Sequence, residues 1–306
     1  MVWNCAQSVQ QLKALGAAEN VPLSELTSFR VGGAAALVLR PESYETIKDA
    51  VRICEEASIP FVLIGRGTNV LASDDGYDGL VIRFDQPLHA PLYSGTHVTV
   101  CCGTSLMQLA RETVSKGFSG FERLAGIPGC VGGACAMNAG AYGAEIKQIL
   151  KRIRILHDGV DEWVDVQKTD LGYRQSAFAF PNAIALEAEF ELQKDDGAAE
   201  ETMRDCMEQR RNKQPLELPS AGSTFKRPTG YFAGALIEQC GLKGVSIGGA
   251  QVSEKHAGFI VNTGGATEHD VSALIRLVQE TVLEQTGVLL ECEVKRVGGK
   301  ERTWNC

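Results

Sequence analysis

The segment GIPGCVGGACAMNAGAYG, residues 126–143, places six glycines and one proline within eighteen residues. Glycine lacks a Cβ, so such a backbone can approach a ligand closely and point its N–H groups at a phosphate. The segment lacks the G-x-G-x-x-G spacing of Rossmann-type folds, and no Lys-Ser or Lys-Thr pair follows it as in a P-loop. It therefore predicts either a nucleotide cofactor held by another type of fold or, more simply, a glycine-rich structural turn.

A second glycine loop precedes the first by about sixty residues. The run FVLIGRGTNVLASDDGYDGLVIRF, residues 61–84, predicts a buried strand, a tight turn at GRGTN and further strand. Apolar residues at helical spacing lie just upstream, from Ile47 to Cys54, so the local order is strand, helix, strand and phosphate-type turn. Two such loops can hold two phosphates or the two ends of one dinucleotide, which predicts a cofactor-sized site.

Composition narrows the class of protein. The chain has 306 residues, 44% of them hydrophobic, and a formal net charge of −8. This length allows two or three domains. The largest basic cluster is Arg210, Arg211 and Lys213, so nucleic acid is not expected as a partner. We find no secretory signal pattern and no apolar run of eighteen residues, and therefore expect a cytoplasmic protein without a membrane span.

Cysteine and histidine spacing argues against a metal site. The ten cysteines are scattered with no C-x-x-C pair, and the five histidines show no paired ligand spacing. Without a secretory signal, buried thiols are expected rather than disulfides. The tripeptide Trp-Asn-Cys occurs at residues 3–5 and again at 304–306, and we have no physical account of it.

Periodicity predicts alternating helices and strands. A strand at 98–101 leads to a helix that begins at Thr104 or Ser105 and ends at Gly117, and a hairpin turns at Asp158-Gly159 before a strand at 184–192.

A polar stretch at 194–197 marks a domain boundary. Beyond it the pattern predicts a charged helix to about 212, a helix at 232–240, strands at 245–252 and 258–261, a helix capped by Thr267 with Val271, Leu274, Ile275, Val278 and Val282 on one face, and a last strand at 288–294.

Seven motifs, in order along the chain, resemble those of the UDP-N-acetylenolpyruvoylglucosamine reductase family. They are LTSFRVGG (26–33), GRGTNVL (65–71), the glycine loop (126–143), GYRQSAF (172–178), AGSTFKRP (221–228), KHAGFIVNTGGAT (255–267) and LECEVKRVG (290–298). The resemblance implies an α+β protein with a two-subdomain FAD-binding fold of the vanillyl-alcohol-oxidase (PCMH) type and a C-terminal α/β substrate-binding domain. We expect the FAD-binding subdomains at 1–84 and 85–194 and the substrate domain at 195–306.

The resemblance also implies an activity. The family reduces UDP-N-acetylglucosamine enolpyruvate to UDP-N-acetylmuramate for peptidoglycan synthesis, with non-covalent FAD as cofactor and NADPH as reductant. One rival function is a flavin-dependent alcohol oxidase of the same fold, against which AGSTFKRP and LECEVKRVG argue. The other is a non-catalytic flavin or nucleotide-sugar sensor, which would keep the glycine loops and lack Arg174, Ser223 or Glu293.

Three residues in the family motifs suit the chemistry. When a hydride adds to the enol ether, negative charge builds beside the substrate carboxylate, so the site needs a cation or donor there and one acid. The resemblance implies that Arg174 pairs with that carboxylate, that Ser223 donates the proton, and that Glu293 polarises the carboxylate or orients a water or lysine near it. Without the resemblance they would be a surface arginine, a turn-forming serine and a solvated glutamate.

The same resemblance assigns the binding residues. Lys213 is expected at the substrate, with Arg227 and His256 at its diphosphate; Lys213 could instead be a cation at a helix end.

Cys130 and Cys135 are expected to be packing thiols, although a covalent flavin–cysteine link is the alternative. The chain also lacks the tyrosine-bearing insertion of type I members and resembles the shorter type II form. For FAD, the expected residues are Gly65, Arg66, Gly67, Thr68, Asn69, Val70, Gly103, Gly126, Ile127, Pro128, Gly129, Gly132, Gly133, Asn138 and Gly140.

Overall fold

The computed structural model describes residues 6–299, apart from the side chain of Lys168, and both Trp-Asn-Cys tripeptides lie outside this range. Its helices are α1 (Ala6–Ala14), α2 (Tyr44–Glu56), α3 (Leu106–Ser115), α4 (Val131–Ala136), α5 (Ala199–Lys213), α6 (Ala233–Gln239) and α7 (Glu268–Thr286). None of these described helices is long and apolar enough to cross a membrane.

The strands are mostly short. They are β1 (Ala18–Pro22), β2 (Ala34–Leu39), β3 (Phe61–Ile64), β4 (Val70–Ala72), β5 (Tyr77–Arg83), β6 (Leu92–Ser94), β7 (His97–Cys101), β8 (Phe118–Ser119), β9 (Gly140–Ala141), β10 (Ala144–Glu145), β11 (Leu150–His157), β12 (Val160–Asp165), β13 (Leu171–Gly172), β14 (Gln175–Ser176), β15 (Ile184–Glu191), β16 (Gln193–Lys194), β17 (Ser220–Ser223), β18 (Ser246–Ile247), β19 (Ala250–Val252), β20 (Phe259–Asn262) and β21 (Lys295–Val297).

The chain divides into two compact units. The larger comprises residues 6–18, 38–66 and 79–210, and the smaller comprises 19–37, 67–78 and 211–299. A four-stranded sheet has the order β1-β2-β5-β3. The boundaries predicted at 84/85 and 194/195 separate three domains rather than two units, and they stay a prediction.

The larger unit is organised around an antiparallel sheet of order β12-β11-β15-β7-β6. The predicted hairpin is confirmed, because His157 pairs with Val160 and the two residues between them have positive φ. The helix predicted after β7 is also confirmed: Ser105 is the N-cap of α3 and Gly117 follows its end with φ +79°.

The smaller unit has an antiparallel sheet of order β17-β20-β19-β18 and a parallel pair, β4 and β21. Helix α7 begins as predicted: the Thr267 hydroxyl accepts from Asp270 N (3.1 Å), and the Asp270 carboxylate accepts from Thr267 N (3.0 Å). Asp74 also accepts from the N–H groups of Glu268 and His269. The predicted apolar face is confirmed, since all five of its residues are buried: Val271, Leu274, Ile275, Val278 and Val282.

Two strand predictions were wrong in extent. The segment 245–252 is a hairpin of β18 and β19 rather than one strand, because Gly248, with φ +52°, turns the chain. The last strand is β21 at 295–297 rather than 288–294. The earlier segment has only the isolated bridge Phe225–Cys292, so no continuous ladder forms there.

Candidate active site

The glycine loop 126–143 is anchored to the end of β7 by backbone hydrogen bonds. The N–H groups of Val131 and Gly132 donate to the carbonyl oxygens of Thr104 and Cys102, both at 2.9 Å. A Cβ on Gly132 would lie 3.0 Å from the Cβ of Cys102, so the loop packs closely there. The larger unit's own backbone therefore sets the position of helix α4.

Gly133 offers the clearest test of fit for a nucleotide cofactor. This residue is exposed in the first turn of α4, and a Cβ built on it meets nothing within 4 Å. Gly103 differs, since a Cβ there would collide with the carbonyl oxygen of Gln86. Glycine is thus required at 103 by packing within the unit, whereas at Gly133 it leaves a bare backbone surface open to a ligand. That surface fits a phosphate-bearing cofactor.

The loop thiols are poorly suited to a covalent flavin link. Cys130 and Cys135 are both buried. Burial raises the pKa of Cys130 to about 11 and that of Cys135 to about 12. Both groups are therefore protonated near neutral pH, and the thiolate is the nucleophilic form. The geometry supports the interpretation that they are packing thiols.

Arg174 lies against the glycine loop within the larger unit. Its Nη2 donates to the carbonyl oxygen of Gly140 (3.2 Å), and its guanidinium carbon lies 5.0 Å from the ring centroid of Tyr173. Asn138 supports the same turn, because its buried amide donates to the carbonyl oxygen of Gly172 (2.9 Å) and accepts from Lys147 N (2.9 Å). The structure thus brings together Arg174 and two residues predicted to bind the cofactor.

Ser223 and Glu293 are neighbours in the smaller unit. Ser223 is exposed at the end of β17, where it pairs with Phe259 of β20. The next residue, Thr224, accepts a hydrogen bond at its carbonyl oxygen from the N–H of Glu293 (2.8 Å). Although 70 positions separate the two predicted catalytic residues in sequence, they stand on adjacent backbone segments.

The GRGTN loop contributes to both units. Gly65 and Arg66 belong to the larger unit, and the residues from Gly67 onward belong to the smaller. Gly67 has φ +64°, and a Cβ there would collide with the carbonyl oxygen of Leu26. Asn69 donates from Nδ2 to the carbonyl oxygen of Glu293 (3.1 Å). The sequence predicts Asn69 only as a cofactor-binding residue and gives no signal for its hydrogen bond to Glu293.

The predicted substrate residues have different local surroundings. Lys213 is exposed and ends α5, where a cation also suits the helix dipole. The Arg227 guanidinium lies 3.9 Å from the ring centroid of Phe232. His256 is half-buried; its Nδ1 accepts from the N–H of Gly258 (3.1 Å), and burial lowers its pKa. A neutral His256 therefore carries its proton on Nε2.

Arg210 of helix α5 lies beside the glycine loop, and the sequence did not predict this position. A Cβ on Gly126 would lie 3.2 Å from Arg210 Cδ, and burial lowers the pKa of this arginine. The sequence groups it with Arg211 and Lys213 as one basic cluster, and no periodic signal distinguishes it from them. Across residues 6–299 there is no group of three His, Cys, Asp or Glu side chains suited to a metal ion.

Known protein families match both the N-terminal and the C-terminal part of the chain. Residues 35–160 match the FAD binding domain family, and residues 214–297 match the UDP-N-acetylenolpyruvoylglucosamine reductase C-terminal domain. The reductase of Alkaliphilus oremlandii is 43% identical over 279 residues, which cover 90% of this chain and 92% of that protein. The chain belongs to the UDP-N-acetylenolpyruvoylglucosamine reductase family.

Other members of the reductase family extend this result. The reductase of Clostridium botulinum strain Hall is 45% identical over 90% of this chain and 91% of its own length. The crystal structure of the Thermus caldophilus reductase aligns with a TM-score of 0.77 and 33% identity, covering 91% of this chain and 98% of that one. The predicted fold, an FAD-binding part of the PCMH type followed by the family's C-terminal domain, is confirmed.

Proposed function

We infer that this chain is an FAD-dependent oxidoreductase that reduces UDP-N-acetylenolpyruvoylglucosamine with NADPH, in peptidoglycan precursor synthesis. The observation that carries this conclusion is identity of 43–45% to reductases across 90% of the chain. Both the FAD-binding part and the family's C-terminal domain are matched.

FAD, when bound, supplies the hydride-transfer chemistry between NADPH and substrate. The chain's own contribution is to hold it. The open backbone at Gly133 supports phosphate binding there. We propose a second contact at the GRGTN loop from its resemblance to the family motif. The remaining predicted cofactor residues are proposed from the family resemblance, as parts of these two loops and of the segment after β7 that contains Gly103.

We propose catalytic roles for Arg174, Ser223 and Glu293. The substrate carbanion needs a proton, and an exposed hydroxyl at the end of β17 can deliver one from Ser223. Arg174 would pair bidentately with the substrate carboxylate, since its position beside Gly140 puts it at the glycine loop. Glu293 would orient that carboxylate or a water beside it.

For the nucleotide half of the substrate we propose Lys213, Arg227 and His256. Arg227 and Lys213 are exposed cations that can pair with a diphosphate, and His256 can donate from Nε2. We also propose a cytoplasmic location. No disulfide joins the eight cysteines between residues 6 and 299, as expected of a reducing compartment.

The test of function needs the purified protein and three measurements. We expect a yellow protein with bound FAD, and NADPH oxidation that depends on UDP-N-acetylglucosamine enolpyruvate. Formation of UDP-N-acetylmuramate, measured by mass spectrometry, would confirm the reaction. Flavin reduction by an alcohol instead of NADPH would favour the oxidase, and bound flavin without turnover would favour the sensor.

A further inference from the structure

The main chain of Glu293 is held on both sides by the smaller unit. Its N–H donates to the carbonyl oxygen of Thr224 (2.8 Å), and its carbonyl oxygen accepts from the side-chain amide of Asn69 (3.1 Å). Fixing both polar groups of one residue restricts its φ and ψ, and these angles set the direction of its Cα–Cβ bond. The direction in which Glu293 presents its carboxylate is therefore set by two identified partners.

Asn69 is itself fixed by strand pairing. Its carbonyl oxygen accepts from Lys295 N (3.0 Å), and the next residue, Val70, pairs with Lys295 in the parallel ladder of β4 and β21. The amide of Asn69 therefore projects from a backbone that is already attached to the same segment as Glu293. A contact supported in this way keeps one geometry without further ordering cost.

We propose that Asn69 is a positioning residue for Glu293, through which the GRGTN loop sets the orientation of a catalytic carboxylate. This inference rests on the proposed role of Glu293. One of the two hydrogens on Nδ2 is used by the Glu293 carbonyl. The loop's backbone N–H groups, rather than this hydrogen, would then account for its affinity for FAD.

The double-mutant comparison between Asn69→Ala and Glu293→Gln tests the proposal. Asn69→Ala should slow reoxidation of the reduced enzyme by the enolpyruvyl substrate about tenfold, the size expected for one hydrogen bond, and should slow flavin reduction by NADPH much less. In a Glu293→Gln background the same change should cost less than about twofold, because the carboxylate that it positions is gone.

Thr68→Ala is the matched control in the same loop, and its effect should be the same in both backgrounds. If Asn69→Ala adds its full tenfold effect to Glu293→Gln, or slows both half-reactions equally, the proposal is wrong. Asn69→Leu keeps roughly the size of the side chain and removes the donor without adding a charge, so it makes the same comparison should the alanine variant not fold.

Cofactor affinity gives a readout that does not depend on turnover. The apoprotein of Asn69→Ala should bind FAD within about threefold of wild type in a flavin-fluorescence titration, since the loop N–H groups remain. A loss of tenfold or more would show that Asn69 acts chiefly on the cofactor and would overturn the positioning role. Failure of the proposed function would be seen separately, as wild-type enzyme that the enolpyruvyl substrate does not reoxidise.

Discussion

The N–H of Glu293 donates a 2.8 Å hydrogen bond to the carbonyl oxygen of Thr224, the residue directly after Ser223. This backbone hydrogen bond therefore fixes the position of the Glu293 main chain relative to that of Ser223. Because Ser223 lies at the exposed end of β17, its hydroxyl can be changed without disturbing this contact. The residue is well suited to separating chemistry from structure.

Ser223→Ala should separate the two half-reactions. Flavin reduction by NADPH needs no proton from a serine, so anaerobic bleaching should stay close to the wild-type rate. Reoxidation by the enolpyruvyl substrate should slow by at least about 10²-fold, the lower range for loss of a positioned acid. Ser223→Cys should recover part of the rate, because a thiol still donates. Stopped-flow flavin absorbance measures both steps, and equal slowing would instead indicate a structural role.

Gly133→Val should weaken FAD binding without unfolding the apoprotein. A Cβ at this position meets nothing within 4 Å, and valine has a slightly better helix propensity than glycine, so the apoprotein should keep its stability. The branched side chain would block the close approach of a phosphate. A flavin titration and an apoprotein melt measure the two effects. Gly103→Ala is the contrasting variant, because its Cβ collides with the Gln86 carbonyl oxygen and should lower the melting temperature of the apoprotein itself.

The flavin should be released completely by acid precipitation. Cys130 and Cys135 are buried, with pKa values raised to about 11 and about 12, so neither supplies a thiolate near neutral pH. Flavin absorbance in the supernatant should equal that of the intact protein. Colour that stays in the pellet would instead indicate a covalent link, and Cys130→Ala and Cys135→Ala would identify the residue.

Lys213→Ala should affect substrate binding more than chemistry. Loss of a charge-assisted contact to the diphosphate should raise the substrate KM roughly tenfold while kcat changes little. Lys255→Ala is a nearby control, because this exposed lysine binds the carbonyl oxygen of Arg211 at the same helix end. Equal and small changes in the two variants would return Lys213 to the role of a helix-end cation.

His256 should make the protein less stable as the solution becomes acidic. Burial lowers the pKa of His256 in the folded state below its ordinary value, so the unfolded chain binds a proton more readily. The free energy of unfolding should therefore fall as pH drops through the unfolded pKa, near 6.5. His256→Gln should flatten this part of the profile in urea titrations between about pH 5 and pH 8. An unchanged slope would mean that other groups cause the dependence.

Local patterns predicted the elements that depend on neighbouring residues. The capping pair Thr267 and Asp270 and the buried face of α7 could be predicted because their signals lie within one or two turns of helix. The turn at Asp158-Gly159 is equally local. The family resemblance added the cofactor and the reaction, which no periodicity contains.

Long-range partners explain what could not be predicted. Alternation predicted a strand at 288–294, but it contains no information on which segment each residue pairs with. Glu291 bonds to Lys226, whereas Glu293 bonds to Thr224 and Asn69. The contact from Asn69 spans 224 positions, so only the folded backbone reveals it. The half-buried position of Arg210 beside Gly126 has the same cause.

The smaller unit is assembled from three separated stretches of chain, 19–37, 67–78 and 211–299. Its core contains Phe29, Val31 and Leu71 together with residues near the C-terminus. On the ribosome, the first two stretches emerge long before their partners, and this core is completed only when almost all of the chain has been translated. A recombinant fragment cut to residues 214–297 would lack those three side chains and strand β4, and should therefore aggregate or be degraded when expressed alone.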